Sequence, residues 1–458
     1  MARIPTSRLG RTARLGGLVA GRSARWLGTR AANAVRDEDE RDAAWDAFAL
    51  QTADELVARL GQMKGAAMKL GQVLSTVDFD LVPEDERDAF KEKLAALRDS
   101  APAADLRQVR SVVEQDLGGR LEDHFAAFSE EPVAAASIGQ VHRARTHDAR
   151  DVAVKVQYPG IAEAVETDMR NLGVLLPLVK RLAPGLDVKA IAAELRARVG
   201  EELDYELEAQ NQRAVARAFR GHPFVLIPAV DTRLSARRVL VTEFVEGRSF
   251  EAVRRLGEAQ RDRFGEILFR FFYGLLSRDH LAAGDPHPGN YLLCDDGRVC
   301  FLDFGLMRRV PAAYLEGERA LARAVVEGDA AAVHRGLAHL GYLPEPDRFE
   351  PERVLQQLRT AGEWYFVPGF RRLDPEYVRR TLELGSSPRS PYFEDMRRQT
   401  VPPEALLIRR MEGLLFGVLG ELRAGADWGR LAAEYIDGAP PSTALGRLEA
   451  GHALARAA

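Results

Sequence analysis

Three motifs, separated by long stretches of chain, restrict the fold of this protein more than any other sequence feature. The first, Val-Ala-Val-Lys at 152–155, is a strand-like run that ends in Lys155. The second is the loop 284–290, in which Asp285 and Asn290 stand five positions apart. The third, Asp-Phe-Gly at 303–305, directly follows a predicted strand hairpin. Such a chain needs a small sheet that presents the lysine and a loop region that presents the oxygen-bearing side chains.

Lys155 by itself permits two interpretations. A lysine at the end of an apolar strand commonly reaches water with its ammonium group while its stem stays packed. If the ammonium is instead buried, it needs an anionic partner, because burial of an unpaired charge is costly. In protein kinases a strand lysine of this kind contacts the phosphates of the nucleotide and pairs with a glutamate on a helix. The tetrapeptide alone favours the first interpretation.

The two loops are more specific than the lysine. The spacing of Asp285 and Asn290 matches the catalytic loop of protein kinases, where the aspartate orients the attacking hydroxyl and the asparagine holds a metal ion. A structural Pro-Gly turn is the alternative, but two prolines with an aspartate and an asparagine are unusual for such a turn. Oxygens from Asn290 and Asp303 suit Mg²⁺, a hard cation that takes oxygen ligands and phosphates together. We expect these side chains and Lys155 to converge on one pocket for a triphosphate and a metal ion.

The pattern of apolar residues divides the chain into a helical extension, a strand-rich region and a larger helical region. A helical stripe occupies residues 46–98, and a long helical pattern occupies residues 161–219. Strand composition occurs at 125–129, 133–136, 152–156, 225–230 and 238–245, with turns predicted at Gly139 and 146–151. Beyond 250 the chain is predicted to be mostly helical, except for strands at 291–294 and 299–302, which an Asp-Asp-Gly turn joins.

Three further short motifs accompany the first three. Ala134, Ala135, Ala136 and Ser137 stand where a kinase carries its glycine-rich phosphate cover, although a small-residue turn in a core is the simpler alternative. Lys-Leu-Gly-Gln at 69–72 lies beside the apolar stripe of the extension, and Glu-Leu-Asp at 202–204 lies in an acidic helical pattern. The six motifs, which span 69–305, resemble those of the UbiB/AarF/ADCK family of atypical protein-kinase-like proteins and occur in the same order.

The resemblance implies a fold and a division of the chain. The implied fold is α+β and two-lobed, like a protein kinase: a small β-rich N-lobe with a long αC-type helix, a larger helical C-lobe, and an N-terminal helical KxGQ extension. The expected regions are a basic flexible tail at 1–45, the KxGQ extension at 46–110, the N-lobe at 111–246, the C-lobe core at 247–345, and a helical part packed on the C-lobe at 346–458. The chain departs from the family at Ala283, where a histidine is frequent. Like the family, it has no Ala-Pro-Glu after 305.

The resemblance also implies a role for each matching residue. ATP or ADP is expected to contact Ala134, Ala135, Ala136, Ser137, Lys155, Glu208 and Glu243. Asp285 and Lys155 are the expected catalytic residues, and Asn290 and Asp303 the expected Mg²⁺ ligands. Glu208 is the expected partner of Lys155. A regulatory set consists of Lys69, Gln72, Glu202 and Asp204, in which Lys69 is the expected counter-ion of the two acids.

The resemblance implies a function that depends on a nucleotide, and it leaves undecided which molecule accepts the phosphoryl group. We expect an ATPase that supports isoprenoid quinone (ubiquinone-type) biosynthesis or lipid access at a membrane, because the family's KxGQ extension covers the site where a kinase binds a protein substrate. A true kinase acting on a small molecule or protein is one alternative. A nucleotide-gated, non-enzymatic scaffold for proteins of quinone biosynthesis is the other.

The N-terminal segment adds a prediction about location. Residues 1–36 contain eight arginines and no acidic residue, within a chain whose net charge is −4. This basic segment is compatible with a solvated tail or a nucleic-acid arm, but its interleaved leucines and Trp26 favour an anionic membrane surface. We expect no nucleic-acid partner and make no prediction of oligomeric state. With only two cysteines and no apolar run of 18 residues, we expect a cytoplasmic protein, peripheral on the inner face of the membrane.

Apolar segments near the C-terminus are predicted to belong to the core of the helical lobe. They comprise Trp364, Tyr365, Phe366, Phe370 and the stretch 406–422. The apolar part of that stretch is too short to span a bilayer, so we expect packing within the protein rather than a membrane helix.

Overall fold

The computed structural model describes residues 104–136, 138–167, 200, 203–386 and 390–457. The predictions for the basic tail, for the KxGQ extension before 104, and for Lys69, Gln72, Ser137 and Glu202 lie outside these residues. The described chain forms two compact units. The first unit ends at Leu207 and also includes Asp231–Glu243, and the second consists of Glu208–Val230 and Phe244 onward.

Helices and short strands alternate in the first part of the described chain, and helices predominate in the second. The helices are α1 Leu106–Leu117, α2 Leu121–His124, α3 Tyr205–Ala218, α4 Phe250–Arg254, α5 Glu258–Asp279, α6 Ala312–Glu327, α7 Ala330–Leu340, α8 Pro351–Ala361, α9 Glu363–Phe366, α10 Pro375–Ser386, α11 Phe393–Met396, α12 Pro403–Leu422, α13 Trp428–Ile436 and α14 Ala444–Ala457. The strands are β1 Phe125–Phe128, β2 Ala134–Ala135, β3 Gly139–Thr146, β4 Asp151–Gln157, β5 Val225–Leu226, β6 Val239–Glu243, β7 Arg248–Ser249, β8 Leu281–Ala283, β9 Tyr291–Leu293, β10 Val299–Phe301, β11 Met307–Arg309, β12 Arg371–Arg372 and β13 Gly425–Ala426.

The first unit is an antiparallel sheet covered by one helix. Its strands lie in the order β1-β3-β4-β6, and β2 pairs with the other end of β3. Helix α1 begins at a capping box formed by Asp105 and Gln108 and buries its valines against alternate residues of β4 and β6. On β4 this alternation buries Val152, Val154 and Val156, and it leaves Lys155 on the opposite face of the sheet.

The turn predicted at Gly139 is confirmed next to that residue, since the chain reverses there between the antiparallel strands β2 and β3. Gly139 is the first residue of β3, an eight-residue strand that the sequence analysis did not predict. A Cβ atom at this position would lie 2.3 Å from the carbonyl oxygen of Val156 and 2.8 Å from the hydroxyl of Tyr205. Glycine therefore suits this position because two neighbouring groups approach the backbone closely within the sheet.

The second unit is built around two long helices. Both α5 and α12 are buried along most of their length, because they pack near the centre of one large apolar core. A four-stranded sheet in the order β5-β10-β9-β7 and the strand pair β8–β11 lie against this core. The hairpin β9–β10 confirms the predicted Asp-Asp-Gly turn, whereas β8–β11 was not predicted. The strand predicted at 225–230 is shorter, since only Val225–Leu226 pair with β10.

The C-terminal apolar segments belong to the core, except for the exposed residues Leu406 and Phe370. Trp364 is buried, and so is most of the inward face of α12. Phe370 was predicted to be buried, but this is wrong: it is 66% exposed, and its ring lies beside the guanidinium of Arg372, 5.8 Å away. Within the described residues, no helix combines the length and the apolar character that a membrane span requires.

A buried ion-pair cluster attaches α14 to α5. Arg270, 1% exposed, donates to Glu266, Glu434 and Glu449 at 2.7–3.2 Å, and Arg278 donates to Glu449 at 2.8 Å. Burial alone would raise the pKa of Glu449. The His222 ring and the two arginines outweigh burial and lower that pKa to about 2.

This cluster predicts acid sensitivity with a definite sign. Because the pKa of Glu449 is lowered on folding, its stabilising effect is complete above about pH 4.5 and disappears as the pH falls toward 2. A shift of this size corresponds to about 3 kcal/mol. We therefore expect Glu449→Gln to be less stable than wild type by about this amount at pH 7 and by only about 1 kcal/mol at pH 2.5. Urea titrations at several pH values measure the difference, with exposed Glu376→Gln as the matched control. A difference that does not change with pH would contradict the assignment.

Candidate functional site

Two strand pairs hold the predicted catalytic loops side by side in the second unit. Ala283 pairs with Met307 in β8–β11, and Tyr291 pairs with Phe301 in β9–β10. The loop 284–290 runs from β8 to β9, and the loop 302–306 runs from β10 to β11. Both loops therefore connect the same two strand pairs. Backbone hydrogen bonds join the loops at both ends, at 2.9 Å from Gly284 N to the Leu306 oxygen and at 3.1 Å from Leu302 N to the Asn290 oxygen.

Asn290 is oriented by the loop in which it lies. Residues Pro288–Asn290 form a 3₁₀ turn, and the His287 ring accepts a hydrogen bond from Gly289 N at 3.1 Å. The Asn290 side chain donates its amide nitrogen to the backbone oxygen of Asp285 at 3.3 Å. Because the nitrogen of this amide is used inside the loop, its oxygen is the atom left to contact a cation.

Asp303 is held by its own turn. Its Oδ1 accepts a hydrogen bond from Gly305 N at 2.9 Å. Phe304 anchors the turn in the core at 2% exposure, and Asn211 of α3 donates to the Phe304 oxygen at 2.9 Å. The same helix brings the buried carboxylate of Glu208 near the turn, since an added Cβ at Gly305 would lie 3.8 Å from Glu208 Oε2.

The pKa of Tyr291 is affected by the negative charges of both loops. Its hydroxyl is completely buried beneath them. Burial raises the pKa of Tyr291 well above its ordinary value, and the carboxylates of Asp285 and Asp303 raise it further. Two carboxylates that act on one buried tyrosine make the potential at these loops more negative, which favours a bound cation.

The oxygen atoms fit Mg²⁺ bound together with phosphates. Among the described residues there is no group of three or more histidine, cysteine, aspartate or glutamate side chains arranged to hold a metal alone. Asn290 and Asp303 carry side-chain oxygens that suit two ligand positions of such an ion. Mg²⁺ is usually held by one or two protein oxygens, with phosphates and water completing its octahedron. The residues therefore fit a nucleotide-bound Mg²⁺ rather than an all-protein metal site.

Sequence reasoning missed Arg410, which contacts the candidate catalytic aspartate. This residue of α12 donates through Nη2 to Asp285 Oδ1 at 3.1 Å and through Nε to the Gly284 oxygen at 2.9 Å. The close packing continues at Gly284, where a Cβ would lie 2.1 Å from Leu407 Cδ1. The available signal was the pair of arginines at 409–410, which interrupts a mostly apolar helical stretch.

In the first unit, Lys155 lies on the face of β4 that does not pack against α1. Its ammonium nitrogen is 5.0 Å from the centre of the Tyr205 ring, within the range of a cation–π contact. Glu243 ends β6 and is exposed, and its Cα pairs with that of Val152. Lys155 and Glu243 are therefore presented by neighbouring strands of one sheet.

The alanine motif forms a short hairpin with β3. Ala134 and Ala135 pair with Val141 and Gln140, and Ala136 N donates to the Gly139 oxygen at 2.8 Å. The two strand alanines are exposed. The predicted strand at 133–136 is thus confirmed in shorter form.

Asp204 has a structural role that was not predicted. Its Oδ1 accepts hydrogen bonds from Glu206 N at 3.0 Å and Leu207 N at 3.2 Å, which is the geometry of a helix N-cap for α3. The proposed counter-ion Lys69 lies outside the described residues, so the regulatory pairing stays a prediction. The pairing of Lys155 with Glu208 likewise stays a prediction.

Comparisons with known proteins agree with this set of motifs. The family model of the ABC1 atypical kinase-like domain matches residues 96–337. The chain is 30% identical over 334 residues to the atypical kinase COQ8B, mitochondrial, of Rattus norvegicus, covering 71% of this chain and 62% of that protein. It is 32% identical over 298 residues to the protein ACTIVITY OF BC1 COMPLEX KINASE 8, chloroplastic, of Arabidopsis thaliana, covering 63% of this chain and 38% of that protein.

A solved structure extends the similarity over most of the chain. The complex of Rv3197 with erythromycin, from Mycobacterium tuberculosis, has a TM-score of 0.64 and 31% identity, covering 87% of this chain and 98% of that one. By contrast, the chain spans less than two thirds of the length of the rat and Arabidopsis proteins. The matched domain, the mixed helical and sheet architecture and the motif set lead to one conclusion: the chain belongs to the ABC1 family of atypical kinase-like proteins, also called UbiB/AarF/ADCK.

Proposed function

We propose that this protein binds ATP with Mg²⁺ and hydrolyses it, in support of isoprenoid quinone biosynthesis or of lipid access at a membrane. The observation that carries the proposal is the pair of adjoining loops that present Asp285, Asn290 and Asp303 in the second unit. Two oxygen ligands and a nearby second aspartate are the side chains that phosphoryl transfer needs at its metal and its nucleophile.

Each residue then has a role that its chemistry supports. Asn290 and Asp303 hold Mg²⁺, which neutralises charge on the phosphates when bound. Asp285 orients the attacking hydroxyl group or water, and Lys155 supplies a positive charge for the phosphates. Glu208 pairs with that lysine. The backbone of the alanine hairpin and Glu243 contact the remainder of ATP or ADP.

The finer features of the architecture belong to the same proposal. We propose a β-rich N-lobe at 111–246, a helical C-lobe core at 247–345 with the part 346–458 packed on it, and a KxGQ extension at 46–110 that regulates the site through Lys69, Gln72, Glu202 and Asp204. The family resemblance supports this arrangement. The basic residues of 1–45 support attachment to the anionic inner face of a membrane, where a quinone precursor or proteins of quinone biosynthesis are partners.

Turnover of radiolabelled ATP by the full-length protein tests the proposal. The protein is incubated with [γ-³²P]ATP, Mg²⁺ and vesicles of phosphatidylcholine with or without phosphatidylglycerol. Release of free phosphate that depends on Asp303 is the expected result. Transfer of label to protein or lipid would instead identify a kinase. Nucleotide binding without turnover would identify a nucleotide-gated scaffold.

Arg410 supplies a further prediction about this reaction. We expect Arg410→Met to lower ATP turnover about tenfold while the nucleotide Kd stays unchanged, because the variant loses only the hydrogen bonds that orient Asp285. Arg410→Lys is expected to recover part of the rate, since an ammonium can make one of the two contacts but not both. The exposed Arg430 gives the control variant Arg430→Met. A parallel loss of nucleotide affinity would contradict a positioning role.

A further inference from the structure

The second unit contains a half-open cavity that the nucleotide chemistry does not use. Its volume is about 430 Å³, and residues of α5, α6, α7, α8, α9, α11, α12 and α13 line it. This volume lies within the range of small-molecule sites, roughly 300–1,000 Å³. Most of the wall is apolar, and the loops that carry Asp285 and Asp303 do not contribute to it.

Two tyrosine hydroxyls in the wall have no partner in the described protein. Tyr273 of α5 and Tyr365 of α9 stack with ring centres 5.4 Å apart, and both line the cavity. Tyr273 is only 4% exposed, and among the described residues neither hydroxyl makes a hydrogen bond. Two other wall tyrosines differ: Tyr342 donates to Glu318 at 2.6 Å, and Tyr435 donates to Glu449 at 3.2 Å. Each hydroxyl opens on a mostly apolar cavity and can donate a hydrogen bond into it, so the pair indicates a ligand atom that accepts there.

The charges in the wall indicate that this ligand is neutral. Arg409 lies between Glu318 and Glu412, contacting Glu412 at 2.6 Å and the Tyr342 hydroxyl at 3.1 Å. Arg319 also lines the cavity and donates to the backbone and side-chain oxygens of Ser277 at 2.7 and 2.8 Å. Two arginines therefore balance two glutamates. A charged ligand would lose its hydration without gaining a counter-charge.

We propose that this cavity is a binding site for a neutral, largely apolar small molecule that carries a ring and a carbonyl or hydroxyl oxygen. The ring packs against the stacked tyrosines, and the oxygen accepts hydrogen bonds from the hydroxyls of Tyr273 and Tyr365. The inference does not depend on the proposed ATP chemistry, since it rests on different residues.

Fluorescence titration with prodan, a neutral naphthalene ketone, tests the site. Full-length wild type is expected to bind one prodan per chain saturably, with blue-shifted emission. The double variant Tyr273→Phe/Tyr365→Phe keeps both rings and is expected to bind at least about tenfold more weakly. Ala322→Phe fills the cavity and is expected to abolish binding. Ala320→Phe adds the same ring at an exposed position of the same helix and is the matched control.

Photolabelling locates the ligand independently of any variant. Benzophenone is a neutral diaryl ketone, and its excited carbonyl inserts into nearby C–H bonds. In wild type, peptide mapping is expected to find the label on wall residues such as Met396 and Leu358. Labels spread over the surface would overturn the proposal. So would prodan binding that survives in a folded Ala322→Phe protein, or that does not change in the double tyrosine variant.

Discussion

The Asp303→Asn protein is expected to bind nucleotide and to lose ATP turnover by about a hundredfold or more. In the wild type, Gly305 N donates to Asp303 Oδ1 at 2.9 Å. The amide oxygen of the variant can accept the same hydrogen bond, so the turn should keep its shape. What the substitution removes is a negative charge next to the proposed Mg²⁺. Initial rates of phosphate release at saturating ATP measure the effect.

A matched control separates loss of the metal ligand from a general disturbance of the hairpin. Asp296→Asn makes the same chemical change in the turn between β9 and β10, where the Asp296 side chain is 51% exposed. It is expected to turn over ATP at the wild-type rate. In Asp303→Asn, a higher Mg²⁺ concentration should recover part of the activity, because a weakened site is refilled by mass action. Full activity at low Mg²⁺ would remove Asp303 from the reaction.

Lys155→Met is expected to abolish the stabilisation of the protein by nucleotide. A charge-assisted contact to phosphate contributes roughly 1.5–3 kcal/mol, so its loss weakens binding by up to about a hundredfold. With nucleotide at about 100 times the wild-type Kd, wild type gains about 2.7 kcal/mol of stability. At the same concentration the variant would gain only about 0.4 kcal/mol. Thermal melts with and without Mg²⁺–ADP measure both values.

The control for Lys155 is a cation on the neighbouring strand. Arg145 of β3 pairs with Asp151 and has a side chain that is 57% exposed, so Arg145→Met is expected to leave nucleotide stabilisation unchanged. Glu208→Gln tests the proposed partner. If Glu208 acts through Lys155, the double variant Lys155→Met/Glu208→Gln loses no more nucleotide affinity than Lys155→Met alone. Additive losses, or nucleotide binding unchanged by either substitution, would exclude the pairing.

The features that could be predicted from the sequence depend on short-range rules. The hairpin β9–β10 follows from its Asp-Asp-Gly turn, and β4 follows from alternating valines. The loop spacing of Asp285 and Asn290 and the Asp-Phe-Gly motif identified the family, which the comparisons confirm. These signals are local, so they survive without knowledge of the tertiary contacts.

The features that could not be predicted depend on contacts between distant parts of the chain. The strand β8 is three residues long and is stabilised by pairing with β11, which lies more than twenty residues later. The turn next to Gly139 could be predicted, but the close approach of Val156 and Tyr205 to its backbone could not. Phe370 looks like a core residue until the packing of its neighbours leaves it exposed.

By itself, then, the sequence determined the family, the order of its motifs and the side chains that carry the proposed chemistry, because all of these are set by residue type and spacing. Only the tertiary structure decided that Arg410 contacts Asp285 at a sequence separation of 125 residues, and that Tyr273 and Tyr365 face a shared cavity. Helix packing brings such residues together through the shape of a whole core, and no local pattern records which distant surfaces meet.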